Sequence, residues 1–184
     1  MASDDKRTRF EREILPHLDA AYNLARWLLR SGTDAEDVVQ EACLRAYTYF
    51  DGFRGGNAKA WLLKIVRNSC YSWFKNNPKG ESMTPDEDGR LDPEHERALK
   101  AAGPDDPSPE ARMLAAADQA LLQASLDALP AVYREVLVLR EIEELSYKEI
   151  SEIADVPIGT VMSRLARARA LLQSRLADRL AGET

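Results

Sequence analysis

Apolar residues recur every three or four positions through most of the chain, the spacing of one face of an α-helix. One stripe begins at Leu18, a second at Val38, and a third helix is expected from Asn57 to about Lys75. No segment alternates apolar and polar residues as a half-buried strand does. The first two stripes are Leu18, Ala21, Tyr22, Ala25, Leu28 and Leu29, then Val38, Val39, Ala42, Cys43, Ala46, Tyr47 and Phe50. The pattern predicts an all-α fold.

Capping residues, glycine and proline predict where these helices begin and end. Gly32 is expected to end the first helix. Residues 33–36 and 146–149 both fit the capping-box pattern, a Ser or Thr followed three positions later by Glu, so each is expected to start a helix. Pro130 is expected to open another helix, since proline suits a first helical position.

The C-terminal third has the order of a helix-turn-helix. A helix over about 109–128 precedes the one opened by Pro130, and a short helix over 146–154, a turn at 155–158 and a long helix to about Arg179 follow. The second helix of such a pair enters the DNA major groove. From Ile158 to Leu172 it carries arginines and no acid, which suits that role, although a solvated basic face would look the same: Arg164, Arg167 and Arg169.

A segment between the two ends has the composition of a linker. Residues 77–110 hold six of the nine prolines and carry 4 Lys/Arg against 10 Asp/Glu, a net charge of −6. They have almost no large apolar residues to offset the entropy of ordering, so at most a short helix around 93–102 is expected. Two small helical domains, 1–76 and 111–184, are therefore predicted on a flexible acidic linker.

The distribution of charge keeps nucleic acid open as a ligand. The chain of 184 residues has a net charge of −6, but residues 1–76 carry +2 and residues 111–184 carry −2. Residues 52–80 contain no acid and mix basic groups with aromatic ones, which suits single-stranded nucleic acid. At least half of these aromatic residues are expected to pack in the core instead. The mixture is Arg54, Lys59, Lys64, Arg67, Lys75 and Lys79 with Phe53, Trp61, Tyr71, Trp73 and Phe74.

Acidic side chains crowd the start of the second helix. The dipole of a helix favours acids near its N-terminus, which is one explanation. The other is a surface that docks a basic protein. The residues are Asp34, Glu36, Asp37 and Glu41, with Gln40 among them.

Several classes of protein are excluded. No run approaches the roughly 18 apolar residues of a membrane helix, and the charged residues 1–13 are no secretory signal, so a cytoplasmic protein without membrane insertion is expected. Cys43 and Cys70 are expected to be small buried side chains. No metal site, cofactor, small-molecule substrate or catalytic constellation is expected, so the chain is not predicted to be an enzyme.

Two separate motifs resemble one family. Residues 129–136, 145–150 and 156–165 resemble the fourth conserved region of extracytoplasmic-function (ECF) sigma factors. Residues 34–42, 53–55 and 61–68 resemble their second region, in the right order. The resemblance implies a transcription initiation factor that binds core RNA polymerase and directs it to promoters. It also implies an anti-sigma factor as inhibitor.

The resemblance also implies roles for individual residues. Polymerase docking would fall to Asp37, Gln40 and Glu41. The melted minus-ten strand would be held by Asn68 and Phe53, with Arg54, Lys64 and Arg67 in the basic zone. The duplex minus-thirty-five element would be read around Thr160, Met162, Ser163, Arg164, Ala166 and Arg167, where Met162 and Ala166 depart from the family pattern.

Two alternative functions stay open at this point, and so does the role of the acidic linker. A sigma mimic that only sequesters an anti-sigma factor has no need of the basic aromatic zone, and a stand-alone helix-turn-helix repressor leaves the N-terminal half unexplained. The acidic linker could occupy a basic RNA channel of the polymerase, or its charge could only keep it extended and soluble.

Overall fold

The N-terminal half is a set of four helices whose buried faces follow the apolar stripes. The computed structural model describes residues 2–78 and 109–182. Helix α1 spans Ala2–Glu13, α2 Leu18–Leu29, α3 Gly32–Tyr49 and α4 Ala58–Asn76, with single 3-10 turns at Leu15–His17 and Phe50–Gly52. Helices α2, α3 and α4 pack against one another around Leu24, Leu28, Val38, Leu62 and Val66. The helical prediction is confirmed.

Two predicted boundaries in this half are wrong. Helix α2 ends at Leu29 with Arg30 in the left-handed conformation, φ 58°, so Gly32 does not end it but begins α3. The N-cap of α3 is Ser31, whose hydroxyl accepts from the backbone N–H of Asp34. The capping box expected at residues 33–36 is therefore absent, because Ser31 satisfies the first-turn donor two residues earlier.

Helix α1 was not predicted, since its first two turns carry almost only polar residues. Its last turn supplies buried Phe10, which meets Phe50 edge to face with ring centroids 5.3 Å apart. Lys6 lies 5.0 Å from the ring centroid of Tyr47 and 2.7 Å from a carboxylate oxygen of Asp51. Buried Phe10 and the tertiary contacts of two basic residues, Lys6 and Arg9, thus hold a helix that the local pattern does not reveal.

The C-terminal half contains the predicted helix-turn-helix. Helix α5 spans Pro109–Asp127, α6 Ala131–Leu137, α7 Tyr147–Ala154 and α8 Ile158–Gly182, and α6 runs on into a π-helical turn over Val138–Ile142. Every residue from 131 to 139 is buried, because α6 lies between α8 and the N-terminal half. The capping box at Ser146 and Glu149 is confirmed, with both reciprocal hydrogen bonds formed.

The two halves pack on each other, which no sequence pattern predicted. The fully buried guanidinium of Arg134, on α6, donates to the carbonyl oxygens of Trp27 at 2.6 Å and Leu28 at 2.8 Å. These carbonyls lie in the last turn of α2, where backbone acceptors lack helical partners and a cation is favoured. The predicted linker, 77–110, and the short helix within it lie mostly outside the described residues.

Candidate nucleic-acid interface

The turn between α7 and α8 fixes how α8 is presented. Asp155 ends α7 in the left-handed conformation, φ 54°. The hydroxyl of Ser151 then donates to the carbonyl oxygen of Val156 at 2.6 Å, which holds the turn against α7. Buried Val161 and Leu165 seat the inner face of α8 in the core. The opposite face of its first three turns is thereby directed away from the protein.

The arginines of α8 differ in their electrostatic surroundings. Arg169 pairs with Glu141 at 2.6 Å. Arg164 and Arg167 are half-buried and make no ion pair among the described residues. An unpaired guanidinium keeps its donors for a phosphate or a guanine edge. The sequence grouped these three arginines together, whereas the fold pairs only Arg169 with a carboxylate of the described residues.

The other predicted reading residues surround these two arginines. Met162 is 53% exposed, and Ser163 is exposed with its hydroxyl donating to the carbonyl of Gly159 at 2.9 Å. Thr160 and Ala166 are partly covered. All six predicted positions therefore lie on the first three turns of α8, around one outward-facing strip.

The basic zone on α4 is only partly available. Arg54, Lys64 and Asn68 are exposed, as a ligand surface requires. Arg67, in contrast, donates from Nε to fully buried Glu135 of α6 at 2.6 Å, and Tyr71 donates to the other oxygen of Glu135 at 3.0 Å. The role of Arg67 at the melted strand stays a prediction, and in this arrangement a carboxylate of the other half already pairs with its guanidinium.

Titration follows the same contacts. Burial opposes charge on Arg67, but the adjacent carboxylate of Glu135 outweighs it and raises the pKa of the guanidinium. Burial, then the charge of Glu135, raises the pKa of Cys70 to about 12. Cys70 thus remains a protonated thiol, and its burial in the core confirms the prediction for this residue.

Phe53 also differs from its predicted role. Its side chain is 7% exposed and lies 5.0 Å, centroid to centroid, from the ring of Trp61 and 5.8 Å from that of Phe50. A ring packed in this way has no free face for a base. It instead anchors the loop that carries exposed Arg54, which precedes two glycines at positive φ, Gly55 and Gly56.

The acidic surface on α3 is exposed, and it is larger than predicted. Asp37, Gln40 and Glu41 are all accessible, and Glu41 forms an i,i+4 pair with Arg45. Leu44, one helical turn beyond Gln40, is 68% exposed. The sequence held the signal that was missed, since Leu44 is a large apolar residue that falls outside the stripe running from Val38 to Phe50.

Comparison with known proteins assigns the two halves of the chain to two regions of one family. Residues 14–79 match the family model described as Sigma-70 region 2, and residues 119–172 match Sigma-70, region 4. The ECF RNA polymerase sigma-E factor of Haemophilus influenzae is 32% identical over 154 residues, 83% of this chain and 79% of that protein. The chain belongs to the ECF sigma factors.

Further relatives agree with the membership of this ECF factor. The RNA polymerase sigma-H factor of Pseudomonas aeruginosa is 32% identical over 94% of the chain and 88% of its own length. A solved structure of the sigma factor RpoE in complex with the anti-sigma factor NepR, from Bartonella quintana, superposes with a TM-score of 0.67 at 28% identity, covering 92% of this chain and 97% of that one.

Family membership confirms the predicted function at its general level: this ECF factor is a transcription initiation factor. The repressor alternative is left without support, because region 2 is matched as well as the helix-turn-helix. Among residues 2–78 and 109–182, no helix is long and apolar enough to cross a membrane. No cluster of three or more metal-ligating side chains occurs in the same part of the chain.

Proposed function

We propose that this ECF sigma factor binds core RNA polymerase through α3, captures a melted minus-ten strand beside α4, and reads a duplex minus-thirty-five element with α8. The observation that carries the proposal is the pair Arg164 and Arg167, two cations without a carboxylate partner among the described residues on a helix that has no acid from 158 to 172. Such a strip complements the phosphates and guanine edges of a major groove.

For the minus-thirty-five element, Arg164 and Arg167 supply the main contacts, with Thr160, Met162, Ser163 and Ala166 around them. Losing a base-reading arginine costs about 1–3 kcal/mol and relaxes specificity at one position. Losing a phosphate contact instead weakens all sequences and lowers the salt slope by about one. The experiment measures promoter binding by holoenzyme carrying Arg164→Ala or Arg167→Ala.

Arg175→Ala is the matched control, since Arg175 is exposed two turns further along the same helix. It should keep wild-type promoter binding. If Arg164→Ala and Arg167→Ala also keep wild-type binding and specificity, α8 does not read the promoter.

For the minus-ten strand, Asn68 supplies a base-edge donor and acceptor, and Lys64 and Arg54 supply phosphate contacts. Arg67 joins them only after Glu135 has moved away. Asn68→Ala should leave the fold and polymerase affinity unchanged but lose open complex on duplex promoters. A pre-melted template should restore activity, because it removes the cost of strand separation that capture by Asn68 otherwise offsets.

Asn23→Ala, at an exposed asparagine on α2, is the control and should open promoters normally. Normal opening by Asn68→Ala would make Asn68 a surface amide with no part in promoter opening.

For polymerase docking, exposed Asp37, Gln40 and Glu41 supply an acidic surface and Leu44 an apolar contact. Reversing Asp37 and Glu41 to arginine should weaken holoenzyme assembly without unfolding the chain. Reversal of Asp19 and Asp178, which are exposed on α2 and α8, is the matched control. Equal pull-down of core polymerase by both double variants would remove α3 from the docking surface.

An anti-sigma protein is proposed as the inhibitor. Support comes from the likeness over 92% of the chain to a sigma factor whose structure was solved with its anti-sigma factor NepR. A sigma mimic also binds anti-sigma factors, so run-off transcription with core polymerase separates the two. A sigma factor supports promoter-specific transcripts, whereas a mimic gives none.

A further inference from the structure

The outward strip of α8 contains an apolar pair that the arginines do not explain. Ile158 is 44% exposed and Met162 is 53% exposed. They are four residues apart, so their side chains are neighbours on one face of the helix. Both belong to the first two turns of α8, the part of a recognition helix that meets base edges.

A glycine lies beside this pair without a structural reason for it. Gly159 has no positive φ, and a Cβ built there would meet nothing within 4 Å. Alanine is the better helix former, so neither helix stability nor packing among the described residues favours glycine at this position. The missing side chain leaves the helix surface open beside Ile158 and Met162.

We propose that Ile158, Gly159 and Met162 form a shallow apolar notch that receives the 5-methyl group of a thymine in the minus-thirty-five duplex. This inference rests on the proposed function of α8. Positions 158, 159 and 162 adjoin on a helix, with the floor at Gly159 and the apolar wall formed by Ile158 and Met162 on one side of it. The major groove exposes the thymine methyl, and apolar side chains read it by contact.

The surroundings of the notch favour DNA over an apolar protein segment. The helix carries Arg164 and Arg167 one and two turns further on and no acid from 158 to 172. Those cations favour a polyanionic ligand beside the notch. Ser163 donates its hydroxyl to the carbonyl of Gly159 at 2.9 Å, so the border of the opening beyond Gly159 is polar.

The test removes a single methyl group from the promoter. A preferred minus-thirty-five sequence is first selected from a randomised library with the full-length chain and core polymerase. Each thymine, on either strand, is then replaced by deoxyuridine. Burying one methyl corresponds to about a four-fold change in affinity, so binding should fall about three- to five-fold at one or two positions and stay unchanged at the others.

Variants of the protein assign that loss to the notch. In the double variant Ile158→Ala, Met162→Ala, the deoxyuridine penalty should shrink to below about 1.5-fold. Gly159→Ala should bind the thymine promoter about as poorly as wild type binds the deoxyuridine one. Leu180→Ala, at a residue 58% exposed near the far end of the same helix, should keep the full penalty.

Each outcome separates this inference from the proposed function. If no A·T pair is selected, if no deoxyuridine weakens wild-type binding, or if the penalty persists in the double variant, the notch does not read thymine. If Arg164→Ala and Arg167→Ala are also without effect in the same assay, the assignment of α8 to the minus-thirty-five element is wrong as well.

Discussion

Helices α4 and α8 are both basic, but they present their cations differently. On α4, Arg67 is held by buried Glu135, and Lys59 lies 2.8 Å from Glu143, whose side chain is 6% exposed. On α8, Arg164 and Arg167 have no such partner within the described residues. A cluster of basic residues in the sequence is therefore a binding surface only where the fold places no carboxylates against it.

Helix caps give a second contrast between the halves. Residues 33–36 and 146–149 have the same Ser/Thr-x-x-Glu pattern, yet only the second forms a capping box. At α7 the pattern stands alone. At α3 a competing cap, Ser31, lies two residues upstream and starts the helix at Gly32. A local motif predicts a helix start only where no better one adjoins it.

The largest expected effect comes from the buried ion pair between Arg67 on α4 and Glu135 on α6. Glu135→Ala leaves the guanidinium of Arg67 and the hydroxyl of Tyr71 covered and without their acceptor, so unfolding free energy should fall by about 3 kcal/mol or more. Urea denaturation measures it. Glu141→Ala, which breaks the exposed pair with Arg169, should cost no more than about 1 kcal/mol. Similar losses in both variants would mean that the two pairs are equally solvated.

Removing a helix cap that forms should cost about 1 kcal/mol of stability more than removing the predicted cap that does not form. Ser31→Ala and Ser146→Ala each remove a side-chain acceptor from a first helical turn and should each cost about 1 kcal/mol. Thr33→Ala should change stability by less than about 0.5 kcal/mol, because Thr33 is exposed and caps nothing among the described residues. A larger loss of stability for Thr33→Ala than for Ser31→Ala would mean that Thr33 caps α3, as the sequence predicted.

A smaller effect should follow from releasing Arg169. Glu141→Gln frees this guanidinium, so affinity for non-specific duplex DNA should rise about two- to three-fold and the salt slope should steepen by up to about one. Glu152→Gln removes an equal charge from an exposed site on α7. If both variants raise affinity equally, net charge rather than the pairing of Arg169 sets binding.

The smallest effect is a dependence on pH. Hydrogen bonding from the backbone N–H of Ser146 lowers the pKa of Glu149 and outweighs the opposing effect of burial, with the side-chain amide of Asn57 lowering it further. This stability is present above the unfolded pKa of about 4.3 and is lost as pH falls through the lower folded value. Glu149→Gln should flatten the decline in thermal midpoint below that pH. An unchanged decline would make another carboxyl responsible.

Much of this protein could be predicted from the sequence. The helical class, the helix-turn-helix, the exposed acids of α3 and the position of Asn68 all follow from periodicity or from motif resemblance, because these depend on residues close together in the chain. The polar start of α1 gave no such signal, and Leu44 gave one that the apolar stripe beside it obscured.

What only the tertiary structure decided depends on residues distant in sequence. Arg67 and Glu135 are 68 positions apart, and Arg134 reaches carbonyls of α2 from 106 and 107 positions away. Local spacing sets which face of a helix is apolar, since that is a property of the helix itself. The element that packs opposite decides which cation is free, which ring is buried and which carbonyl is capped. The residues next to each position in the sequence do not specify that element.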